Sequence, residues 1–176
     1  MPTALLERPK ADEHVEYYAR YIVQVPGDDV LAVLKSQIED TTRLLRALSE
    51  SQAMYRYAHG KWSIKQVVGH MSDVERVFAY RMMCIARGDS TSLPGFDENA
   101  YAERAESDAR SLTSLLNEFR AVRAATIPLV ESLDPETGTR RGSANNNPIT
   151  PRALAWIIAG HEIHHYGLLK ERYGLS

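Results

Sequence analysis

The sequence predicts an all-α fold, a four-helix bundle. Three observations carry that prediction. Apolar residues recur at spacings of three, four and seven in four separate segments of about 20 residues each, the period of one buried helix face. Capping and stop residues bracket those segments. No stretch alternates apolar and polar residues for long enough to make a useful strand, and the chain shows no internal repeat or low-complexity tract.

The elements follow in order. Residues 1–25 are mixed in character and carry Tyr17, Tyr18 and Tyr21, expected to pack across the bundle before Pro26-Gly27 breaks the chain. Residues 1–27 thus read as an N-terminal extension packed on a single domain spanning 1–176. Asp28 or Asp29 caps the first long helix, about 29 to 49, whose buried side is Leu31, Leu34, Ile38, Leu45 and Leu48. After a connection holding Tyr55, Tyr57, His59 and Trp62, Ser63 and Gln66 form a capping box. They open the second helix, about 63 to 87, with Gly88 as its stop.

Residues 89–106 have turn chemistry and one short helical turn near Glu98 to Arg104, long enough to cross a bundle end, so the third helix need not run antiparallel to the second. The third helix carries Leu112, Leu115, Leu116, Phe119, Val122, Ile127, Leu129 and Leu133, with Pro128 expected to kink it or tighten its last turns. Residues 135–149 read as a polar, flexible connection. Thr150 then caps the fourth helix, and Pro151 takes its first position, where a missing N–H costs nothing.

With 176 residues the chain can bury a proper core, and 25% charged against 44% hydrophobic residues is the balance of an ordinary globular domain. A net charge of −2 without a Lys/Arg run argues against nucleic acid or an anionic membrane as partner. The N-terminal residues lack the apolar core of a signal peptide and no window approaches a membrane span, so a cytoplasmic location is expected. One cysteine, Cys84, cannot form an intrachain disulfide and reads as a small buried hydrophobe.

Three of the six histidines fall within five residues of the fourth helix. With His161 set at 0° and about 100° per residue, His165 lies at about 40°, inside the apolar stripe of Leu154, Ile157, Ile158, Leu168 and Leu169. His164 lies at about −60°, at the stripe's edge. Two imidazoles one turn apart in an aliphatic layer need several hydrogen-bond partners or a shared metal ion, and i, i+4 spacing on a helix suits the ion. A third ligand must come from elsewhere: His14, His59, His70, Asp73 or a carboxylate of the third helix. His14 near the chain end and His59 beside Gly60 read as surface residues. His70, at one margin of the second helix's apolar face, can aim at a neighbouring helix.

Trp62-Ser63-Ile64-Lys65-Gln66-Val67-Val68-Gly69-His70-Met71-Ser72-Asp73, followed much later by His161-Glu162-Ile163-His164-His165, resembles the DinB/YfiT superfamily. The likeness extends through Arg76 to Arg81, the Leu93 to Phe96 loop and Ala153 to Gly174. The resemblance implies an up-down-down-up four-helix bundle and one divalent ion, zinc or nickel, held by His70, His161 and His165. It also implies a homodimer, and a transferase or isomerase chemistry that uses low-molecular-weight thiols.

His161-Glu162-Ile163-His164-His165 also fits the metalloprotease pattern H-E-x-x-H, but position 168 is Leu168 rather than Gly and no His or Asp follows as third ligand. Three imidazoles on one ion leave positions open for water or substrate, the construction of a catalytic site. The expected function is therefore metal-dependent transfer or hydrolysis on a small molecule, with a low-molecular-weight thiol as possible cosubstrate. Its rival is a non-catalytic bundle, stabilised by its metal, that binds a small molecule or serves in stress response. Glu162, at about 100° from His161, serves as general base only if the pocket curls toward it. Asp73 is placed to orient an imidazole, Arg81 to receive an anionic group or form an interhelical ion pair, and Tyr101, Trp156 and Tyr166 to line a cleft or fill the core.

Overall fold

The computed structural model describes residues 6–176. In chain order the helices are α1 (Glu16–Ile22), α2 (Val30–Leu45), α3 (Glu50–Ala53), α4 (Ile64–Ala86), α5 (Glu98–Arg104), α6 (Leu112–Glu131), α7 (Pro135–Gly138) and α8 (Pro151–Glu171). Two short strands, β1 (Gly142–Ala144) and β2 (Asn147–Ile149), pair antiparallel between α7 and α8. The four long helices, α2, α4, α6 and α8, make the bundle.

Their starts are chemically explicit. The Asp29 carboxylate accepts from Ala32 N at 3.0 Å, Ser63 and Gln66 close a reciprocal capping box, Ser111 caps α6, and Thr150 caps α8 with Pro151 at its first position. The first helix stops at Leu45 rather than near residue 49, because Ser49 and Gln52 form a capping box of their own and start α3. Pro128 does not end α6, which runs on to Glu131. Residues 135–149 are ordered, not a flexible linker: Asn145 and Asn146 take positive φ of 52° and 58° and make the two-residue turn of the β1–β2 hairpin.

Contacts fix the directions. Lys35 meets Glu131 at 2.6 Å and Glu39 meets Arg120 at 2.7 Å, so α2 and α6 are antiparallel. Lys65 reaches the Asp108 carbonyl just before α6 and Arg76 reaches Glu118 at 2.6 Å, so α4 and α6 run together. The Tyr173 hydroxyl, after α8, donates to the carbonyl of Trp62, before α4, which makes α4 and α8 antiparallel. Gln37 and Thr41 meet Ala159 and Glu162 in the same order, so α2 and α8 are parallel. The bundle is up-down-down-up, with α2 and α4 each packed between α6 and α8.

Every residue of α8 from Pro151 to Glu162 is buried, where the sequence pattern predicts one apolar stripe. The N-terminal segment covers the face that would otherwise meet water. Arg8 lies 4.2 Å over the Trp156 ring and donates to the carbonyls of Ile22, Val25 and Gly27, and the Trp156 indole donates to Leu6 O at 3.1 Å. The buried Glu13 carboxylate accepts from Thr150 Oγ1 at 2.8 Å and from Arg152 Nε at 2.7 Å. His14, expected at the surface, is buried in this segment, its Nδ1 2.9 Å from the carbonyl of Val15.

The apolar core falls into two parts. One contains Leu34, Phe78, Met82 and Trp156; the other contains Leu45, Met71, Phe119 and Tyr173. Between them lies a polar layer, with His70, Glu75, Arg123, His161, Glu162 and His165 all buried at mid-height of the helices.

Candidate metal centre

Antiparallel α4 and α8 bring His70 opposite His161 and His165. His70 Nε2 lies 3.1 Å from His161 Nε2, and His165 Nε2 lies 3.2 Å from the same atom. One nitrogen from each ring can be chosen so that all three lie within 4.8 Å of one another, and the residues are only 4%, 6% and 7% exposed. Trp62 packs against the His70 ring at 4.6 Å between centroids with the planes tilted by 46°, and Tyr21 meets both His161 and His164 edge-on at 5.5 Å.

Burial holds all three imidazoles neutral. It lowers His70 to about 4, with the neighbouring His164 adding to the effect. Burial also drives His161 and His165 well below the usual histidine range, reinforced for His161 by His165 and His70 and for His165 by His70 and His164. A neutral Nε2 carries either one proton or one in-plane lone pair. His161 Nε2 therefore cannot satisfy both of its neighbours, and His165 Nδ1 is buried with no partner among the described residues. A cation accepting three lone pairs at this point would resolve the conflict among the Nε2 atoms, leaving the His165 Nδ1–H as a separate unpaired donor, and a three-nitrogen donor set suits a borderline divalent ion.

Helix α1 roofs this cluster because Gly160 has no side chain. A Cβ at that position would strike the carbonyl of Tyr21, so α1 lies directly on α8 and Tyr21 is set against His161 and His164. Beneath the roof is a cavity of about 100 Å³, walled by Tyr17, Tyr18, Tyr21, Arg81, Asn145 and His161 among others. The hairpin supplies Asn145, and the loop before α5 is tied to it by Leu93 N donating to Ser143 O and Asn145 N donating to Leu93 O, both at 2.9 Å.

Glu162 does not face this cavity, which corrects the expectation of a general base there. Its carboxylate points to the other side of α8. It accepts from Thr41 Oγ1 at 2.6 Å, from Arg123 Nη2 at 2.7 Å and from the Gln37 amide. Arg123 also binds Glu75 through two bonds of 2.8 Å, so one buried guanidinium joins α6 to both α4 and α8. The 100° step from His161 to Glu162 is what separates the two clusters.

The other candidates scatter. His164 is half-buried beside Tyr21 and outside the convergence, and His59 is exposed. Asp73 touches no imidazole; it pairs with Arg76 at 3.4 Å. Tyr101 is exposed, Trp156 is fully buried in the core, Tyr166 lines a separate cavity beside Glu162, and Cys84 is half-buried and free. Sequence reasoning passed over Glu75 and Arg123, although a signal existed. Glu75 follows Met71 by four residues and Arg123 follows Phe119 by four, which puts two charged residues on apolar stripes.

Comparison with known proteins gives a consistent pattern. Residues 34–169 match the family model described as the DinB superfamily. A protein of Oceanobacillus iheyensis, named provisionally as a metal-dependent hydrolase, is 27% identical over 161 residues, spanning 84% of this chain and 90% of that one. Among solved structures, YfiT from Bacillus subtilis, described provisionally as a metal-dependent hydrolase with an unusual four-helix-bundle topology, superposes with a TM-score of 0.72 at 21% identity. That match covers 96% of this chain and 94% of YfiT. A mycothiol-dependent maleylpyruvate isomerase superposes with a TM-score of 0.66 at 14% identity, covering 82% of this chain and 61% of the isomerase.

Proposed function

The chain belongs to the DinB superfamily, and from that premise we propose that His70, His161 and His165 hold one divalent ion, zinc or nickel, in a hydrolase or transferase of small molecules. The observation that carries the reading is the convergence of three neutral, buried Nε2 atoms that cannot satisfy one another. The provisional hydrolase names of two relatives support it, and the mycothiol-dependent isomerase supports a low-molecular-weight thiol as cosubstrate.

When bound, such an ion supplies Lewis acidity and favours the deprotonated form of water or a thiol near neutral pH. The protein's own part is positioning and exclusion. Trp62 packs on His70 and Tyr21 on His161, which limits the rotation of two of the three rings. Tyr17, Tyr18 and Tyr21 narrow the approach to His161 to the cavity under α1. A homodimer, expected from the family resemblance, belongs to the same proposal.

Elemental analysis of untagged protein tests the site. The wild type should carry about one divalent ion per chain and His165→Ala almost none, since two imidazoles hold such an ion weakly. Equal metal content in the two proteins would remove His165 from the site. Hydrolysis of small-molecule substrates and thiol transfer onto electrophiles, each with and without added metal, then separate the enzyme from its rival. A metal-dependent rate supports the enzyme; its absence across a broad panel favours a metal-stapled binding bundle.

A further inference from the structure

We infer that the small molecule handled at the histidine cluster is a carboxylic acid, and that Arg81 receives its carboxylate in the cavity under α1. The inference rests on the triad being the reactive centre and adds the substrate class to it.

Three arginines are buried, and they differ in their partners. Arg123 is paired with Glu75 and Glu162, and Arg152 is paired with Glu13. Arg81, only 3% exposed, forms no ion pair among the described residues. Its Nη2 donates to the Pro94 carbonyl at 2.6 Å, and its guanidinium lies 5.5 Å from the Phe78 ring and 5.7 Å from the Phe96 ring. A buried cation is costly without a counter-charge, and one carbonyl plus two aromatic rings recover only part of the lost hydration. The guanidinium fork matches a carboxylate with two parallel N–H···O bonds, and its contacts with the Pro94 carbonyl and the Tyr18 hydroxyl leave several of its five donors available.

What Arg81 borders is the cavity that also contains His161. Burial raises the Tyr18 hydroxyl, so the phenol beside Arg81 stays protonated and able to donate to an anion. At roughly 30 Å³ for each water in the liquid, about 100 Å³ holds only a few water-sized groups, room for a small organic acid and far below that needed by a peptide or nucleotide. Glu98 also lines the cavity but is exposed to water, so the buried cation among the lining residues is Arg81. A carboxylate seated there directs the rest of the acid along the cavity toward His161.

Titration calorimetry with butyrate and its neutral isostere butyramide tests the site, on both zinc-loaded and zinc-stripped protein. Wild type should bind butyrate in both forms, and butyramide ~10-fold or more weakly, as expected for charge-assisted bonds to a buried guanidinium. Arg81→Met should weaken butyrate by a similar factor while its zinc content stays at the wild-type level, and Arg81→Lys should recover part of the loss. Equal binding of butyrate and butyramide overturns the inference, even if no variant folds. So does butyrate binding that is unchanged in Arg81→Met, or confined to zinc-loaded protein, since the carboxylate would then sit on the metal. Wild type that holds no zinc yet binds butyrate through Arg81 upholds the carboxylate site and refutes the metal at the triad, so the two claims fail separately.

Discussion

His161 and Glu162 are consecutive residues of one helix, both buried, and each belongs to a polar cluster in the layer that divides the core, yet the two clusters are built to opposite specifications. Around Glu162 the charges are matched by protein: Arg123 bridges two carboxylates, while Thr41 and Gln37 supply further donors, and the Gln37 amide oxygen alone in that network is left without a partner among the described residues. Around His161 three lone-pair-bearing nitrogens crowd together, and a ring nitrogen of His165 lacks any partner among the described residues. A closed network stabilises the fold it sits in, whereas an open one is completed only by something the chain does not supply. Burial alone would have ranked them together, and each holds one buried atom without a partner among the described residues, Gln37 Oε1 in the first and His165 Nδ1 in the second. What tells them apart is charge, matched around Glu162 and unprovided for among the three imidazoles.

The sharpest way to break this contrast is to remove the centre of the closed cluster. Arg123→Met leaves Glu75 and Glu162 buried without their cation and should destabilise the protein by about 3–5 kcal/mol in denaturant unfolding, the usual cost of orphaning a buried charge. Loss of less than about 1 kcal/mol would show that the network is not structural.

Protons provide the next test, directed at the open cluster. His70 falls from an ordinary 6.5 to about 4 on folding, because burial disfavours its charged form. Its neutral state is matched in folded and unfolded chains above pH 6.5, and below that only the unfolded chain takes up the proton. Stability of metal-free protein should therefore fall as pH drops from 6.5 toward 4, by about 3 kcal/mol at most from this group. In His70→Gln the slope over that window should be shallower; an unchanged slope would place its origin elsewhere.

A smaller effect sharpens the link between roof and site. Gly160→Ala puts a methyl group against the Tyr21 carbonyl and should cost about 1–3 kcal/mol by forcing α1 away from α8. The same shift moves Tyr21 off His161, so metal-supported activity should fall further than stability predicts. Activity at the wild-type level would mean that α1 has no part in shaping the cavity.

Much of this molecule was legible in its residues. The capping chemistry of Asp29, Ser63 and Thr150 is local, set by one side chain and an amide three residues on, so the starts of three of the four long helices were read directly, while Ser111 ahead of α6 carried the same signal and was passed over. The i, i+4 relation of His161 and His165 follows from helical pitch alone, and the Asn145-Asn146 pair carried a hairpin signal that was there to be read. What no local rule contains is which element faces which. Whether His70 meets the late pair depends on α4 and α8 running antiparallel in the right register. The opposite orientation of Glu162 matters only because α6 delivers Arg123 to that side of α8. His14 is buried, and α8 is enclosed from Pro151 to Glu162, because a distant N-terminal segment folds back over Trp156. Sequence fixes periodicity and caps through bonds within a few residues, but the partners of a buried polar atom lie up to 150 positions away in the case of Trp156 and Leu6, and only packing of the whole bundle chooses them.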